Sequence, residues 1–156
     1  MLNYASQCFE TQVGLARPPL LLSQSVRFPV AEPMETALVI DDDPDIAPLV
    51  DMALRRFHVQ TETVYGGVDA IMRMRERSYD LVVLDLTMGD LHGFDVLRSL
   101  RQLPLNKDVP VLILTANGSH EAIARSFGHG ADEFVQKPFD LREFGLRAFR
   151  LIRPFR

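Results

Sequence analysis

The chain has no tryptophan, one cysteine and, among 17 basic residues, only two lysines. A single Cys8 excludes an internal disulfide framework and any multi-cysteine zinc or iron–sulfur site. No uncharged apolar run approaches the ~18 to 20 residues that cross a bilayer, so no membrane span is expected. Leu20-Leu21-Leu22 is too short for a signal-peptide core and no basic start precedes it, which points to a cytoplasmic protein. Positive charge is also in deficit: 21 acidic residues against 17 basic give −4, an argument against a chain whose main work is coating nucleic acid. What is present, 47% hydrophobic and 24% charged residues over 156, suits one globular domain with its own core.

The charge is unevenly placed. Acids cluster at Asp41, Asp42, Asp43 and Asp45, while Arg142, Arg147, Arg150, Arg153 and Arg156 load the C-terminal end. Cations are favoured at a helix C-terminus, so those arginines need no nucleic-acid partner. The two lysines, Lys107 and Lys137, are scarce enough for their positions to matter.

Residues 1–33, punctuated by Arg17-Pro18-Pro19, Pro29 and Pro33, lack helical or alternating period and read as a mobile extension. Met34 stands immediately before the first strand-like run and is a candidate biological start. From Thr36 onward strands and helices alternate. Ala37–Ile40 and Leu81–Leu84 are continuous apolar runs, as strands buried on both faces require. Val59–Val64, Val109–Leu114 and Glu133–Gln136 supply three more strands. Helices are expected after Asp43-Pro44, around Ala70–Met74, over Gly93–Leu103, over Ser119–Phe127 and from Asp140 to Pro154. Asp43 would cap the first of these, and Pro48 would loosen its start. Asp140 and Glu143 form a capping-box pattern, and Gly128 and Gly130 close the fourth helix.

Alternating strands and helices at this spacing imply a parallel sheet covered by helices on both faces. In such sheets ligands bind beyond the carboxyl ends of the strands. The residues there are Asp41-Asp42, Asp85, Thr115 and Lys137. Three carboxylates close together raise one another's proton affinity unless a cation neutralises them. With no His or Cys among them, they favour Mg²⁺ or a similar oxygen-seeking ion. An acidic metal pocket with a lone lysine is suited to receiving a phosphoryl group.

Four segments carry a family resemblance: Leu38–Pro44, Asp80–Met88, Pro110–Ala116 and Lys137-Pro138-Phe139, with Gly130–Phe134 leading to the last. Together they resemble the receiver domain of bacterial two-component response regulators, over Thr36 to about Arg153. The resemblance implies a flavodoxin-like (βα)5 fold with strand order 2-1-3-4-5 and a receiver spanning 34–153, with 154–156 as a tail. It implies that Asp85 is the phosphoacceptor, fed by a sensor histidine kinase or phosphotransfer protein. Asp42 and Asp85 would bind Mg²⁺, Asp41 would help through water, and the backbone carbonyl of Thr87 would be a further ligand. Lys137 would pair with the phosphoryl oxygens, Thr115 would bond to them, and Phe134 would be an aromatic switch. The face of the fourth helix, fifth strand and fifth helix would then signal by protein contacts, to a downstream protein the sequence does not name or to a second copy. Such a domain is not an enzyme beyond its own phosphotransfer and dephosphorylation. The length leaves no room for a helix-turn-helix output domain, which suggests the stand-alone type.

Two positions depart from the family pattern: Gly89 stands where Pro is usual, and His92 replaces a small acidic or polar residue. The four histidines, His58, His92, His120 and His129, lack ligand spacing and are expected on the surface. On the last helix, Leu146 and Phe149 form a second apolar face that packs simply or meets a partner. Two other functions compete. A phosphatase of the haloacid dehalogenase type would use Asp41 and Asp43, but Pro44-Asp45 replaces its Gly-Thr and Asp85 would have no role. A receiver used only as a scaffold is opposed by the complete set of acids, Thr and Lys.

Overall fold

The computed structural model describes residues 34–153. The extension over 1–33 with Cys8, the stop at Pro154 and the tail 154–156 lie outside the described residues. Five strands and five helices alternate: β1 (Glu35–Ile40), α1 (Ile46–Arg55), β2 (Val59–Val64), α2 (Gly67–Glu76), β3 (Leu81–Leu84), α3 (Gly93–Leu100), β4 (Val111–Thr115), α4 (His120–Gly128), β5 (Glu133–Gln136) and α5 (Leu141–Ile152). All pairings are parallel, in the order β2-β1-β3-β4-β5.

The strand period of two divides the core. Leu38, Ile40, Val82, Leu84 and Ile113 point to one face, against Ala70 and Met74 of α2 and Val96, Leu97 and Leu100 of α3. Ala37, Val39, Leu81, Val83, Leu112 and Leu114 point to the other, against Val50, Ala53 and Leu54 of α1 and Phe144 and Ala148 of α5. Both faces are covered, so β3 is apolar at every position, as are Ala37–Ile40 of β1 and Val111–Leu114 of β4. Register then sets the upper edge: Ile40 pairs with Leu84 and Leu84 with Ile113, so the residues after β1 and β3 emerge side by side.

Helix starts differ in detail from expectation. Asp43 lies one turn early: its Oδ1 accepts from the Asp45 N–H at 3.0 Å, and α1 begins at Ile46. Pro48 is therefore the third residue of α1, where backbone N–H groups have no helical partner, and it costs the helix no hydrogen bond. Asp140 caps α5 as expected, accepting from Arg142 and Glu143, but the Glu143 carboxylate turns to Arg147 instead of closing the box. Gly130 ends α4 with φ +91°. Phe149 stacks on Phe57 of the α1–β2 turn with ring centroids 4.8 Å apart, so one of the two residues of the second apolar face of α5 is internal packing; the other, Leu146, stays exposed.

Candidate functional site

The site lies at the carboxyl edge of β1, β3, β4 and β5. The Asp41 N–H donates to Val64 O and the Asp85 N–H to Ile40 O, so the ladder continues one residue past each strand and fixes both acids. Asp41 is 1% exposed, Asp85 6% and Thr115 fully buried, while Asp42 faces solvent. One carboxylate oxygen from each of Asp41, Asp42 and Asp85 falls within 4.8 Å of the others. Lys137, brought up by β5 with its N–H on Thr115 O, closes the group from the far side.

The Lys137 ammonium donates to Asp41 Oδ2 at 2.6 Å and to Asp85 Oδ2 at 3.4 Å. Burial is the dominant influence on Asp41 and raises its pKa above the ordinary carboxylate value, and the nearby Asp85 charge adds to this; the hydrogen bonds from Lys137 and the Asp43 N–H offset part of it. Burial pulls the Lys137 pKa down, but hydrogen bonds and charge from both acids outweigh it, so the net shift is upward and the ammonium is retained. One ammonium among three carboxylates leaves negative charge that a hard cation would balance. The donor set, all oxygen with one open and exposed member, fits a magnesium-like ion.

The loop after β3 is held by three contacts. The Thr87 N–H donates to Asp85 Oδ1 at 3.3 Å, and the Gly89 N–H donates to Asp42 Oδ2 at 3.2 Å. Asp90 reaches across to the start of α2, where its carboxylate accepts from the Gly67 and Val68 N–H groups at 3.0 and 3.1 Å. Gly93 is required by close approach, since a Cβ there would lie 2.4 Å from Asp85 O. Thr115 Oγ1 accepts weakly from the Asn117 N–H at 3.5 Å. Phe134 is half-buried against the core cluster on the α2–α3 face.

The structure thus brings together Asp41, Asp42, Asp85 and Lys137, with Thr115 and Thr87 beside them. Asp43 is not one of the converging carboxylates: it is exposed and accepts from the Asp45 N–H. That leaves the Asp41/Asp43 pair of the phosphatase alternative unassembled.

Three features escaped the sequence reading. His92 is exposed, as expected, but it also has a structural role: its Nδ1 caps α3 by accepting from the Phe94 N–H, and its ring stacks on Phe94. His129 and Arg125 of the α4 region meet the same ring, at 4.9 and 4.6 Å. Buried Asn106 ties the end of α2 to the start of β3, accepting from the Tyr79 N–H and donating to Met74 O and Arg77 O. No periodic or motif signal marks any of them.

Among the described residues no helix is long and apolar enough to cross a membrane. The family described as "Response regulator receiver domain" matches residues 37–148. The chain is 41% identical over 118 residues to the probable transcriptional regulatory protein TcrX of Mycobacterium tuberculosis, covering 76% of this chain and 50% of TcrX. It is 36% identical over 116 residues to the transcriptional regulatory protein ResD of Bacillus subtilis, covering 74% and 47%. The chain therefore spans about half the length of these curated relatives. Among solved structures it superposes on a BeF3-activated DrrB receiver domain with TM-score 0.70 at 28% identity, covering 76% of this chain and 97% of that one. The chemotaxis protein CheY4 of Vibrio cholerae gives TM-score 0.69 at 26% identity, covering 76% and 98%.

Proposed function

From the premise that this chain belongs to the receiver-domain family of response regulators, we propose that Asp85 is its phosphoacceptor and that a histidine kinase or phosphotransfer protein supplies the phosphoryl group. The observation that carries this is the convergence of Asp41, Asp42 and Asp85 with the Lys137 ammonium at one sheet edge. Asp85 is the member with a free role: Lys137 sits closest to Asp41, Asp42 is exposed, and Asp85 faces the lysine at the longer 3.4 Å.

In this reading Asp41, Asp42, Asp85 and the Thr87 carbonyl hold Mg²⁺, which when bound offsets negative charge on the transferring phosphoryl group. The Asp85 carboxylate attacks phosphorus, and the leaving atom departs with the electron pair of the broken bond. Lys137 is within reach of the new phosphoryl oxygens, and the Thr115 hydroxyl, now only weakly engaged, is free to donate to them. Phosphorylation adds roughly one unit of negative charge and new acceptor oxygens, so contacts made only in that state favour one position of the β4–α4 loop. Phe134 follows that loop, and the α4–β5–α5 face carries the change to a protein target or a second copy. The receiver occupies 34–153, residues 1–33 precede it as an extension, and the cytoplasm is its compartment.

The test is incubation with Mg²⁺ and acetyl phosphate. Wild type gains one phosphoryl group by intact mass, and Asp85→Asn gains none. Labelling that survives Asp85→Asn but vanishes with Asp41→Asn contradicts the assignment, and no labelling in any protein supports the scaffold.

A further inference from the structure

Beside the acceptor, between the loop that follows β3 and helix α4, lies a cleft of about 220 Å³. Its lining includes Leu86, Thr87 and Asn117; the Thr87 backbone N–H donates to the Asp85 carboxylate and the Asn117 N–H to the Thr115 hydroxyl, so the cleft adjoins the acceptor one residue removed from it. Asp41, Asp42, Asp85, Thr115 and Lys137 all stand outside its lining, so it lies on a flank without the metal-binding acids. Phe94 lines it as well, together with His92 and Arg125. The Arg125 guanidinium lies 4.6 Å over that ring, and the His92 imidazole stacks on it at 5.3 Å.

Both groups are donors left for a ligand. His92 Nδ1 accepts from the Phe94 N–H, which puts the imidazole proton on Nε2. Arg125 meets no carboxylate among the described residues, even though Glu121, the one acid in the lining, stands four residues earlier on the same helix face. A cation–π contact holds the guanidinium beside the cleft, and its N–H donors have no acceptor among the described residues.

Resting on the assignment of Asp85 as acceptor, we propose that this cleft is a subsite for the carboxylate leaving group of small acyl phosphates, bound by Arg125 and the His92 Nε2–H. An Asp85 oxygen forms a bond to phosphorus, and the bond from phosphorus to the bridging oxygen breaks. Acetate departs with that electron pair, and no proton is needed. The departing oxygen gains negative charge as the bond lengthens, so a cation beside its path favours the transition state over the bound donor. A donor that leaves as neutral ammonia, phosphoramidate with its nitrogen protonated, gains nothing from Arg125.

The experiment is the ratio of phosphorylation rate constants for acetyl phosphate and phosphoramidate, each with Mg²⁺, in wild type, Arg125→Ala and Arg125→Lys. Arg125→Ala lowers the ratio about threefold, the scale of a solvent-exposed charge contact, and Arg125→Lys restores most of it. Beryllofluoride, which has no leaving group, binds all three alike. An unchanged ratio overturns the subsite, as does a fall in beryllofluoride affinity that matches the loss in rate. Failure of wild type to react with either donor overturns the acceptor assignment and the subsite with it.

Discussion

Lys137 lies closer to Asp41 than to Asp85, at 2.6 against 3.4 Å, although both carboxylates are buried at the same sheet edge. The lysine balances the deeper acid and leaves the proposed acceptor under-compensated. Without a metal, Asp85 thus adds like charge to a group that one ammonium does not neutralise. Asp85→Asn is expected to stabilise the metal-free protein by on the order of 1 kcal/mol. The same change should abolish the stabilisation that Mg²⁺ gives wild type. Thermal melts with and without Mg²⁺ check both outcomes.

Asp90 supplies the loop after β3 with its anchor. Its carboxylate accepts three backbone N–H groups, from Gly67, Val68 and Leu91, and these hold its pKa below the ordinary 3.8, led by the bond from Gly67. Asp90→Ala should cost about 1 kcal/mol, the scale of a lost helix cap. A depressed folded-state pKa means the contribution is complete above the unfolded value and fades as pH falls through the folded one. The stability difference between wild type and Asp90→Ala, followed by urea unfolding, should therefore shrink below about pH 4.

Gly93 allows α3 to start against the Asp85 carbonyl. Gly93→Ala puts a methyl 2.4 Å from that oxygen and 2.6 Å from Leu86 Cα, both backbone positions that do not move aside cheaply. Destabilisation of about 1–3 kcal/mol is expected, together with weaker Mg²⁺ binding because the shift moves Asp85. Isothermal titration of the variant with Mg²⁺ reads the second effect separately.

Tyr79 donates its hydroxyl to Glu62 at 2.9 Å inside the α2–β3 corner. Burial first, then the Glu62 bond and charge, push its pKa up to about 12, against a smaller opposite pull from Arg77 and Arg73. Its contribution to stability is complete below about 10, the unfolded value, and disappears as pH rises through about 12. An ultraviolet titration should show one late-ionising tyrosine that is missing from Tyr79→Phe.

The strands and the strand-end chemistry were legible because both follow from short patterns. Leu81–Leu84 is apolar at every position since helices cover both faces, and Asp85 follows it directly. Asp41, Asp42, Asp85, Thr115 and Lys137 could be found by reading the last residue of each strand and the one or two that follow it. Helix ends were less legible, since caps depend on where a turn closes. Asp43 and Asp45 both suit the start of α1, and only the fold shows the helix beginning at Ile46. The Phe94 cluster was invisible because His92, Arg125 and His129 come from separate segments and meet only in three dimensions. Asn106 was missed for the same reason, its partners lying 27 to 32 residues earlier in the chain.

The central claim is that the phosphoryl group resides on Asp85 and on no other acid. Borohydride reduces an acyl phosphate to the alcohol, so phosphorylated protein treated this way carries homoserine at the modified aspartate. Peptide mass spectrometry after reaction with acetyl phosphate and Mg²⁺ should place homoserine at position 85. Homoserine at position 41, 42 or 43 instead would contradict the account.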